Sequence, residues 1–355
     1  MNKKMIRIKD IAKLAGVSVG TVDRVIHNRG KVSEKAREKV EKVLQEIDYT
    51  PNLLAKTLGS NKVYTIALLV PDPSQDPYWK LSMTGLDTAQ EEWRPYHMEL
   101  QPCFFELENA KSFTSAAQRL LKNVPDAVVS APIFLNEAID FFKKLDQLGT
   151  PYVHFNTMIS TVSPLSFIGQ DSYQSGRLGA SLLHLASKHQ KGKVAILHIR
   201  ESVQHSVHFR EKERGFRDFY GAMHPAQSVE AVIIEGNQMD TFEEKLISAI
   251  KKNDMKGLFI PTSSGAKLTA DVLEKNGLDH ISIVGYDLLN ENINLLKSGY
   301  IDFLIHQNPS RQVFRGIHHL ANHLLFKKTA PEKELFPLEV ITAENIDSYL
   351  EAVLH

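Results

Sequence analysis

The stretch PDPSQDPYWK, residues 71–80, contains residue types that bind sugars. A carboxylate, Asp76, stands beside the aromatic side chains of Tyr78 and Trp79. Aromatic faces cover the C–H side of a sugar ring, and carboxylates accept hydrogen bonds from its hydroxyl groups. The alternative is a proline-rich turn whose two aromatic side chains pack into the core. From these residues alone, both interpretations remain open.

Short apolar runs rich in valine and isoleucine recur after residue 64 and predict the elements that would position such a site. The runs are TIALLV, DAVVSAP, PYVHFN, KVAILHI, AVIIEG, GLFIPT and SIVGYD, and helical segments of 12 to 18 residues separate most of them. This alternation predicts an α/β body of two doubly wound parallel-sheet lobes in sequence, one beginning near residue 62 and the other near residue 162. Ligands of such folds bind beyond the carboxyl ends of strands and between two lobes.

The first fifty residues have a different pattern, which predicts an all-α head. Apolar residues recur at helical spacing from Ile8 to Ala15. Gly16 then ends the first helix, and Ser18 is a good N-cap for the second. A third helix is expected after Ser33. Two short helices joined by a glycine turn, with a third beneath them, form a helix-turn-helix unit, whose second helix fits the major groove of DNA.

Charge is unevenly distributed along a chain whose net charge is zero. Residues 1–62 contain 14 Lys and Arg against 7 Asp and Glu, whereas the rest contains 28 against 35. A basic head indicates contact with a polyanion and, with the helix pattern, favours double-stranded DNA. Arg24 can donate two hydrogen bonds to guanine. Thr21, Asn28 and Ser33 can bind phosphates. The alternative is a three-helix bundle with another role.

The segments IKDIAKLAGVSVGTVDRV, GKVSEKAREKV and YTPNLLAKTL follow one another over residues 6–58. In this order and spacing they resemble the lactose-repressor (LacI) family of transcriptional regulators. The resemblance implies a helix-turn-helix domain over residues 1–50 and a hinge helix with its linker over 51–61. It implies a two-lobed domain for effector binding and dimerisation over 62–355.

The resemblance also assigns DNA contacts outside the first helices. In the family, the segment that contains Asn52 here becomes a hinge helix only on DNA, and Ala55 and Leu58 would then enter the minor groove. An apolar wedge of this kind unstacks a base step and bends the duplex. The first two positions of the recognition helix depart from the family because Val19 offers only apolar contact and Gly20 has no side chain. Operator preference should therefore differ from that of well-known members.

The body resembles periplasmic sugar-binding proteins of the ribose and galactose type, in which an element like DPYW stacks on the sugar. The further effector-binding residues that this resemblance implies are Asn156, Arg210, Lys212, Thr262, Asp287 and Gln307. Members usually have an arginine where this chain has Lys212. We prefer Arg210, two residues earlier, because lysine lacks the planar fork of donors. These departures favour an effector other than free ribose.

Sequence motifs of enzymes are missing, so we expect neither catalysis nor a cofactor. The chain contains no GxxxxGK[ST] or HExxH pattern. His319 and His323 are four residues apart on a predicted helix, but two ligands are insufficient evidence for a metal. We expect a surface helix there, and His205 and His208 are interpreted in the same way. The single cysteine, Cys103, excludes an internal disulfide framework and fits a reducing cytosol.

The N-terminal segment MNKKMIRIKD is basic but has no apolar region behind it, and no apolar run reaches the ~18 residues of a membrane helix. We therefore expect a cytoplasmic protein without a membrane partner. The sequence predicts a ligand-responsive transcriptional regulator, such as a repressor, that acts as a homodimer on a palindromic operator. A small carbohydrate effector would bind between the lobes.

Two alternatives remain open. Tyr78 and Trp79 could stack on a base as well as on a sugar, so a regulator of the same class with a purine or another non-sugar effector is the first. The body alone would also support a transport-associated sugar-binding protein, which the N-terminal helix-turn-helix pattern opposes.

Overall fold

The structure is a computed structural model, and it describes residues 8–26, 30–47, 62–199, 207–225, 229–234 and 239–354. The chain divides into two compact units, Met1–Asn61 and Lys62–His355. Several residues named above lie outside the described residues, and what was predicted for them stays a prediction: Asn28, Asn52, Ala55, Leu58 and His205.

Three helices form the described part of the smaller unit: α1 (Ile8–Ala15), α2 (Val19–Ile26) and α3 (Glu34–Glu46). Gly16 has a φ of 62°, the left-handed conformation that ends α1. The backbone N–H of Thr21 donates to Ser18 Oγ over 3.1 Å and caps the start of α2. All three helices contribute to one apolar core, which contains Ile11, Ala12, Ala15, Val22, Val25, Val40 and Val43.

The first lobe of the larger unit, lobe 1, is built on a six-stranded parallel sheet. Its strands are β1 (Tyr64–Pro71), β2 (Met98–Phe105), β3 (Ala127–Ser130), β4 (Tyr152–Phe155), β5 (Ser166–Gly169) and β11 (Lys333–Leu335). Its helices are α4 (Pro77–Trp93), α5 (Ala110–Lys122), α6 (Leu135–Leu148) and α12 (Pro309–Phe326). The strand order is β11-β5-β4-β3-β1-β2. A short 3₁₀ helix, Arg94–Tyr96, follows α4.

The second lobe, lobe 2, has a sheet of the same size. Its strands are β6 (Lys193–Ile199), β7 (Val229–Ile234), β8 (Met255–Phe259), β9 (Ser282–Tyr286), β10 (Phe303–His306) and β12 (Glu339–Ile341). Its helices are α7 (Ser172–Ser187), α8 (Val207–Met223), α9 (Met239–Asn253), α10 (Gly265–Lys275), α11 (Asn290–Lys297) and α13 (Ile346–Leu354). The strand order is β12-β10-β9-β8-β6-β7, and only β12 runs antiparallel to its neighbour.

Each sheet carries buried apolar clusters formed by its strands and helices, and this confirms the doubly wound α/β prediction. Among the described residues, no helix combines the length and apolarity that crossing a membrane requires.

The lobes are not sequential along the chain, and that prediction was wrong. The chain passes from lobe 1 to lobe 2 after β5, returns after β10, and crosses again between β11 and β12. The last part of the chain returns because the apolar face of α12, including Val313 and Ile317, completes the lobe 1 core. Apolar patterning identifies a buried helix but not the sheet that buries it.

One side chain connects the three crossovers. The Nε2 group of Gln170 in the first crossover donates to His306 O, where the second begins, over 2.8 Å. It also donates to Pro337 O in the third, again over 2.8 Å. Gln170 is buried, so these bonds lie in the interior. The residues around which the lobes can move are therefore held together at one point.

Candidate functional site

A cleft of about 1180 Å³ lies at the carboxyl ends of the strands, lined by residues from both lobes. This is the place where ligands bind in open α/β sheets and between lobes. The structure brings most of the predicted effector-binding residues together along its walls. Those that line the cleft are Asp76, Tyr78, Trp79, Asn156, Lys212, Thr262 and Gln307.

The lobe 1 wall is organised by the start of α4. Asp76 is the N-cap of this helix, and its Oδ1 accepts from Tyr78 N over 2.7 Å. Its Oδ2 accepts from Ser264 Oγ of lobe 2 over 3.3 Å. The Tyr78 hydroxyl accepts from Asn156 Nδ2 over 2.6 Å. Asn156 follows β4 with a φ of 62°, which asparagine tolerates better than most residues. The side chains that meet here are acceptors and donors suited to hydroxyl groups.

The two aromatic side chains of DPYW are part of the core as well as of the cleft wall. Tyr78 and Trp79 are 4% and 5% exposed, and their rings meet edge to face with centroids 4.9 Å apart. Trp79 also packs edge to face on Phe155 at 6.1 Å. The two interpretations of this stretch are therefore compatible, because the packed residues also line the cleft.

Lys212 is the central cation of the lobe 2 wall. Its side chain is buried, and Nζ donates to Gln307 Oε1 over 3.2 Å and to Pro261 O over 3.4 Å. The ammonium also lies 3.6 Å from the centroid of the Tyr286 ring, a favourable cation–π contact. Gly176 of α7 allows α8 to pack closely at Lys212, because a Cβ atom on residue 176 would lie 1.9 Å from Lys212 O.

Asp287 lies behind the cleft wall rather than on it. Its carboxylate is completely buried and accepts from Ser263 Oγ over 2.5 Å, from Gln307 N over 2.9 Å and from Gln307 Nε2 over 2.7 Å. Burial alone would raise the pKa of this carboxyl, but the nearby His306 imidazole and these hydrogen bonds hold its pKa below the usual value. Asp287 therefore positions Ser263 and Gln307, which do line the cleft.

The preference for Arg210 over Lys212 was wrong. Arg210 is exposed and does not line the cleft, whereas Lys212 does. Two residues apart on a helix, side chains point about 200° away from each other, so only one of them can face a given site. Thr262 is buried at the end of β8, and its Oγ1 has no hydrogen-bond partner among the described residues.

Sequence reasoning missed His208, which it placed on the surface. His208 lines the cleft, and its Nδ1 lies 2.8 Å from Thr157 Oγ1 of lobe 1. Burial and the nearby Lys212 ammonium hold the pKa of His208 well below its usual value, so the ring is neutral. The sequence around His208 could not predict this contact, because Thr157 is 51 residues away in the chain.

The surface-helix interpretation of His319 was also wrong. His319 is buried, and its Nε2 lies 2.5 Å from Glu334 Oε2 of β11. Arg315 binds both oxygens of the same carboxylate, over 2.8 and 3.0 Å. These contacts hold α12 against β11. In the part of the chain that the structure describes, no three His, Cys, Asp or Glu side chains come together as a metal site would require.

The candidate DNA-facing residues of the smaller unit lie on α2 and at the start of α3. Val19 is 51% exposed, and Gly20 and Arg24 are exposed on the same helix. Thr21 is partly buried, with Oγ1 2.9 Å from Ser18 Oγ. Ser33 is exposed and precedes α3 without a side-chain cap bond. The hydroxyl and guanidinium groups of this unit can therefore be presented to a ligand outside its core.

Two family models match the chain over separate ranges. Residues 66–328 match the family described as "Periplasmic binding protein domain". Residues 7–52 match "Bacterial regulatory proteins, lacI family". The first match contains every strand of both lobes except β1's first residues and the short β11 and β12. The second contains α1, α2 and α3.

Curated relatives extend over most of the chain. It is 24% identical over 348 residues to a sucrose operon repressor of Streptococcus mutans serotype c, covering 96% of this chain and 99% of the relative. It is 26% identical over 288 residues to a ribose operon repressor of Halalkalibacterium halodurans, covering 80% of each. Both relatives are named as repressors of sugar operons.

A solved structure has the same fold as the larger unit. The crystal structure of a LacI transcriptional regulator from Bacteroides fragilis superposes with a TM-score of 0.77 at 29% identity, covering 81% of this chain and all of that one. The chain therefore belongs to the periplasmic binding protein domain family and, with its lacI-family helix-turn-helix domain, has the domain composition of a LacI-family transcriptional regulator.

Proposed function

We propose that this chain is a ligand-responsive transcriptional repressor that binds a palindromic operator as a dimer and a small carbohydrate between its lobes. The observation that carries the proposal is one chain with a lacI-family helix-turn-helix domain and a two-walled cleft of hydroxyl-binding side chains. The lacI-family domain favours a regulator over a transport-associated binding protein. The dimer follows from the two-fold symmetry of a palindrome.

The chemistry of the cleft supports a carbohydrate. Asn156, Gln307 and Thr262 provide amides and a hydroxyl, and Asp76 provides a carboxylate, so the walls offer many acceptors and donors in a small space. Tyr78 and Trp79 are only 4% and 5% exposed, so little of either ring is open to a ligand. Stacking on a purine base requires an open ring face. The cleft therefore suits a hydroxylated ring better than a flat base.

Hydrogen bonds between the lobes are the contacts through which a ligand would change the lobe arrangement. In this structure Ser264 of lobe 2 bonds to Asp76 of lobe 1, and His208 of lobe 2 bonds to Thr157. A ligand that binds both walls changes these contacts and so changes the preferred lobe arrangement. By thermodynamic linkage, operator DNA must change the effector affinity by the same factor.

The first test is a thermal-shift screen of the full-length protein against sugars, sugar phosphates and purines. A ligand selective for the folded state raises the melting temperature by mass action. We expect a hit among the sugars. A hit only among purines would be consistent with a transcriptional regulator but would contradict a carbohydrate effector. DNA selected from a random pool by the protein should contain an inverted repeat; selection of no sequence above background would overturn the regulator.

A matched pair of variants then tests the cleft. Lys212→Met removes the central cation of the cleft, whereas Arg210→Met removes a cation two residues away on the exposed side of the same helix. We expect both variants to bind the selected DNA, and only Lys212→Met to lose the response to the sugar. Equal responses in the two variants would contradict the assignment of the cleft.

A further inference from the structure

The cleft extends one strand beyond the side chains that the family pattern assigns, from the end of β1 to the end of β2. Asn156 follows β4 near the crossovers, whereas Glu106 to Asn109, which also line the cleft, follow β2 at the opposite edge of the sheet. Three strand spacings separate β4 from β2 in the strand order. At about 4.8 Å per spacing this is roughly 14 Å, long enough for two sugar rings joined by a glycosidic oxygen.

Hydrogen bonds connect the far part of the cleft, which we call the distal end. Leu107 N donates to Gln75 Oε1 over 2.9 Å, so the loop after β2 lies against the residue that precedes Asp76. Asp76 in turn bonds to Ser264, the N-cap of α10. Within the first turn of α10, Leu268 lines the cleft as well. The distal end therefore has walls from both lobes, as a ring subsite requires.

A buried acceptor without a partner in the described part of the chain lies beside the ends of β8 and β9 in lobe 2. Asn292 is completely buried in α11 and lines the cleft. Its Nδ2 donates to Ser263 O over 2.8 Å and to Tyr286 O over 3.1 Å, and these bonds fix the orientation of the amide. Its Oδ1 has no partner among the described residues. This oxygen has no accessible surface, so it belongs to the interior behind the cleft wall and not to the distal end.

The charges around the distal end select against an anion. Two exposed carboxylates of lobe 1 line the cleft there, Glu106 and Glu108. The Lys267 ammonium in the same lining is paired with Asp271. A phosphate group at this end would face a net negative field, and like charges repel over such distances.

We propose that the distal end is a second sugar-ring subsite, and that the effector is a neutral disaccharide or glycoside rather than a monosaccharide or a sugar phosphate. This inference rests on the carbohydrate effector proposed above. Leu107, Phe134 and Leu268 provide apolar surface for the C–H face of the second ring. The carboxylates of Glu106 and Glu108 provide acceptors for its hydroxyl groups.

Isothermal titration of the full-length protein tests the proposal with defined probes. The panel contains glucose, fructose, galactose and ribose, then sucrose, maltose, lactose and trehalose, then sucrose 6-phosphate and trehalose 6-phosphate. We expect one neutral disaccharide to bind at least about tenfold more tightly than its constituent monosaccharides and than any phosphorylated probe. A monosaccharide that binds as tightly as its disaccharide, or a phosphorylated probe that binds most tightly, would overturn the second subsite. Binding of no saccharide would overturn the carbohydrate effector itself.

A pair of Leu→Trp variants locates the second ring. Leu107→Trp adds an indole to the distal end, whereas Leu148→Trp adds one at an exposed position at the end of α6, before the amino end of β4. Leu107→Trp should reduce the disaccharide affinity to the level of the monosaccharide and leave the monosaccharide affinity unchanged. Leu148→Trp should change neither. A Leu107→Trp protein that keeps its preference for the disaccharide would show that the second ring lies elsewhere.

Discussion

The two lobes have the same strand order, yet equivalent positions have different roles. β4 of lobe 1 and β9 of lobe 2 occupy the same place in their sheets. Asn156 follows the first with a φ of 62°, and Asp287 follows the second with a φ of 63°. Asn156 is partly exposed in the cleft, whereas Asp287 is buried and holds Gln307. The shared backbone conformation fixes where a side chain starts, and its neighbours decide what it binds.

A second equivalent pair shows the same division. Gln170 follows β5 and Gln307 follows β10, again at matching places in the two sheets. Gln307 lines the cleft and accepts from Lys212, while Gln170 binds the crossover carbonyl groups. This position thus lines the cleft in one lobe and connects the crossovers in the other.

The largest difference between the lobes should appear on truncation of the strand-end residues. Asp287→Ala leaves the donors of Ser263 and Gln307 without their acceptor in a completely buried site, and alanine disfavours the left-handed φ. We expect the free energy of unfolding to fall by about 3–5 kcal/mol. Asn156→Ala should cost about 1–2 kcal/mol, since its amide is partly exposed. Urea unfolding of both variants measures these values.

A control separates the hydrogen bonds from the backbone strain. Asp287→Asn keeps the side-chain shape and tolerates the left-handed φ but loses one acceptor oxygen and the charge. Its free energy of unfolding should therefore fall by an amount between those expected for Asp287→Ala and Asn156→Ala. Equal losses for Asp287→Ala and Asn156→Ala would contradict the division of roles.

Acid should affect lobe 1 through His154, a completely buried histidine of β4. Burial among Phe142, Tyr152 and other core residues lowers the pKa of His154 to about 3, and the matching position of β9 is Gly285. The unfolded chain binds a proton below pH 6.5 while the folded protein does not until about 3, so stability falls as the pH decreases between these values. At pH 5 the loss is about 2 kcal/mol.

His154→Leu should abolish this part of the pH dependence. His189→Leu, at an exposed histidine of lobe 2, should leave it in place. Urea unfolding at pH 7 and pH 5 gives the comparison. The assignment to His154 fails if its leucine variant loses as much stability on acidification as the parent protein.

The smallest effect is expected at the glutamine of the crossovers. Gln170→Met removes both donors to the crossover carbonyl groups but keeps the side-chain length, and we expect a loss of about 1 kcal/mol with little change in effector affinity. Gln307→Met should instead weaken effector binding, because this glutamine lines the cleft. Calorimetric binding and unfolding of the two variants provide the test, and a common effect on binding would remove the distinction.

Local sequence signals predicted the smaller unit and one wall of the cleft. The cap at Ser18 and the left-handed Gly16 are properties of single residues, so their positions follow from chemistry within one helix turn. The start of α4 depends on local chemistry in the same way, because Asp76 caps the helix that begins with Pro77 and Tyr78. The family resemblance also assigned Asn156 and Gln307, and both line the cleft.

Long-range contacts were beyond the same reasoning. Lys212 faces the cleft because α8 packs on α7 and presents this side of the helix, which no spacing in the sequence indicates. The burial of Asp287 depends on Ser263 and Gln307, each about twenty residues away in the chain. The interleaved lobes depend on the sheet that α12 completes. Residue type suggests a role, but the fold decides which of two adjacent candidates performs it.

The two bonds of Gln170 also have a mechanical consequence. The three covalent connections between the lobes are joined by Gln170 and act as a pivot. The lobes can rotate about this point, but sliding past each other would break the two hydrogen bonds of Gln170. The displacement that a bound molecule produces must then grow with distance from this point. A change in the angle between the lobes therefore moves the far edges of the two sheets more than it moves the residues near Gln170.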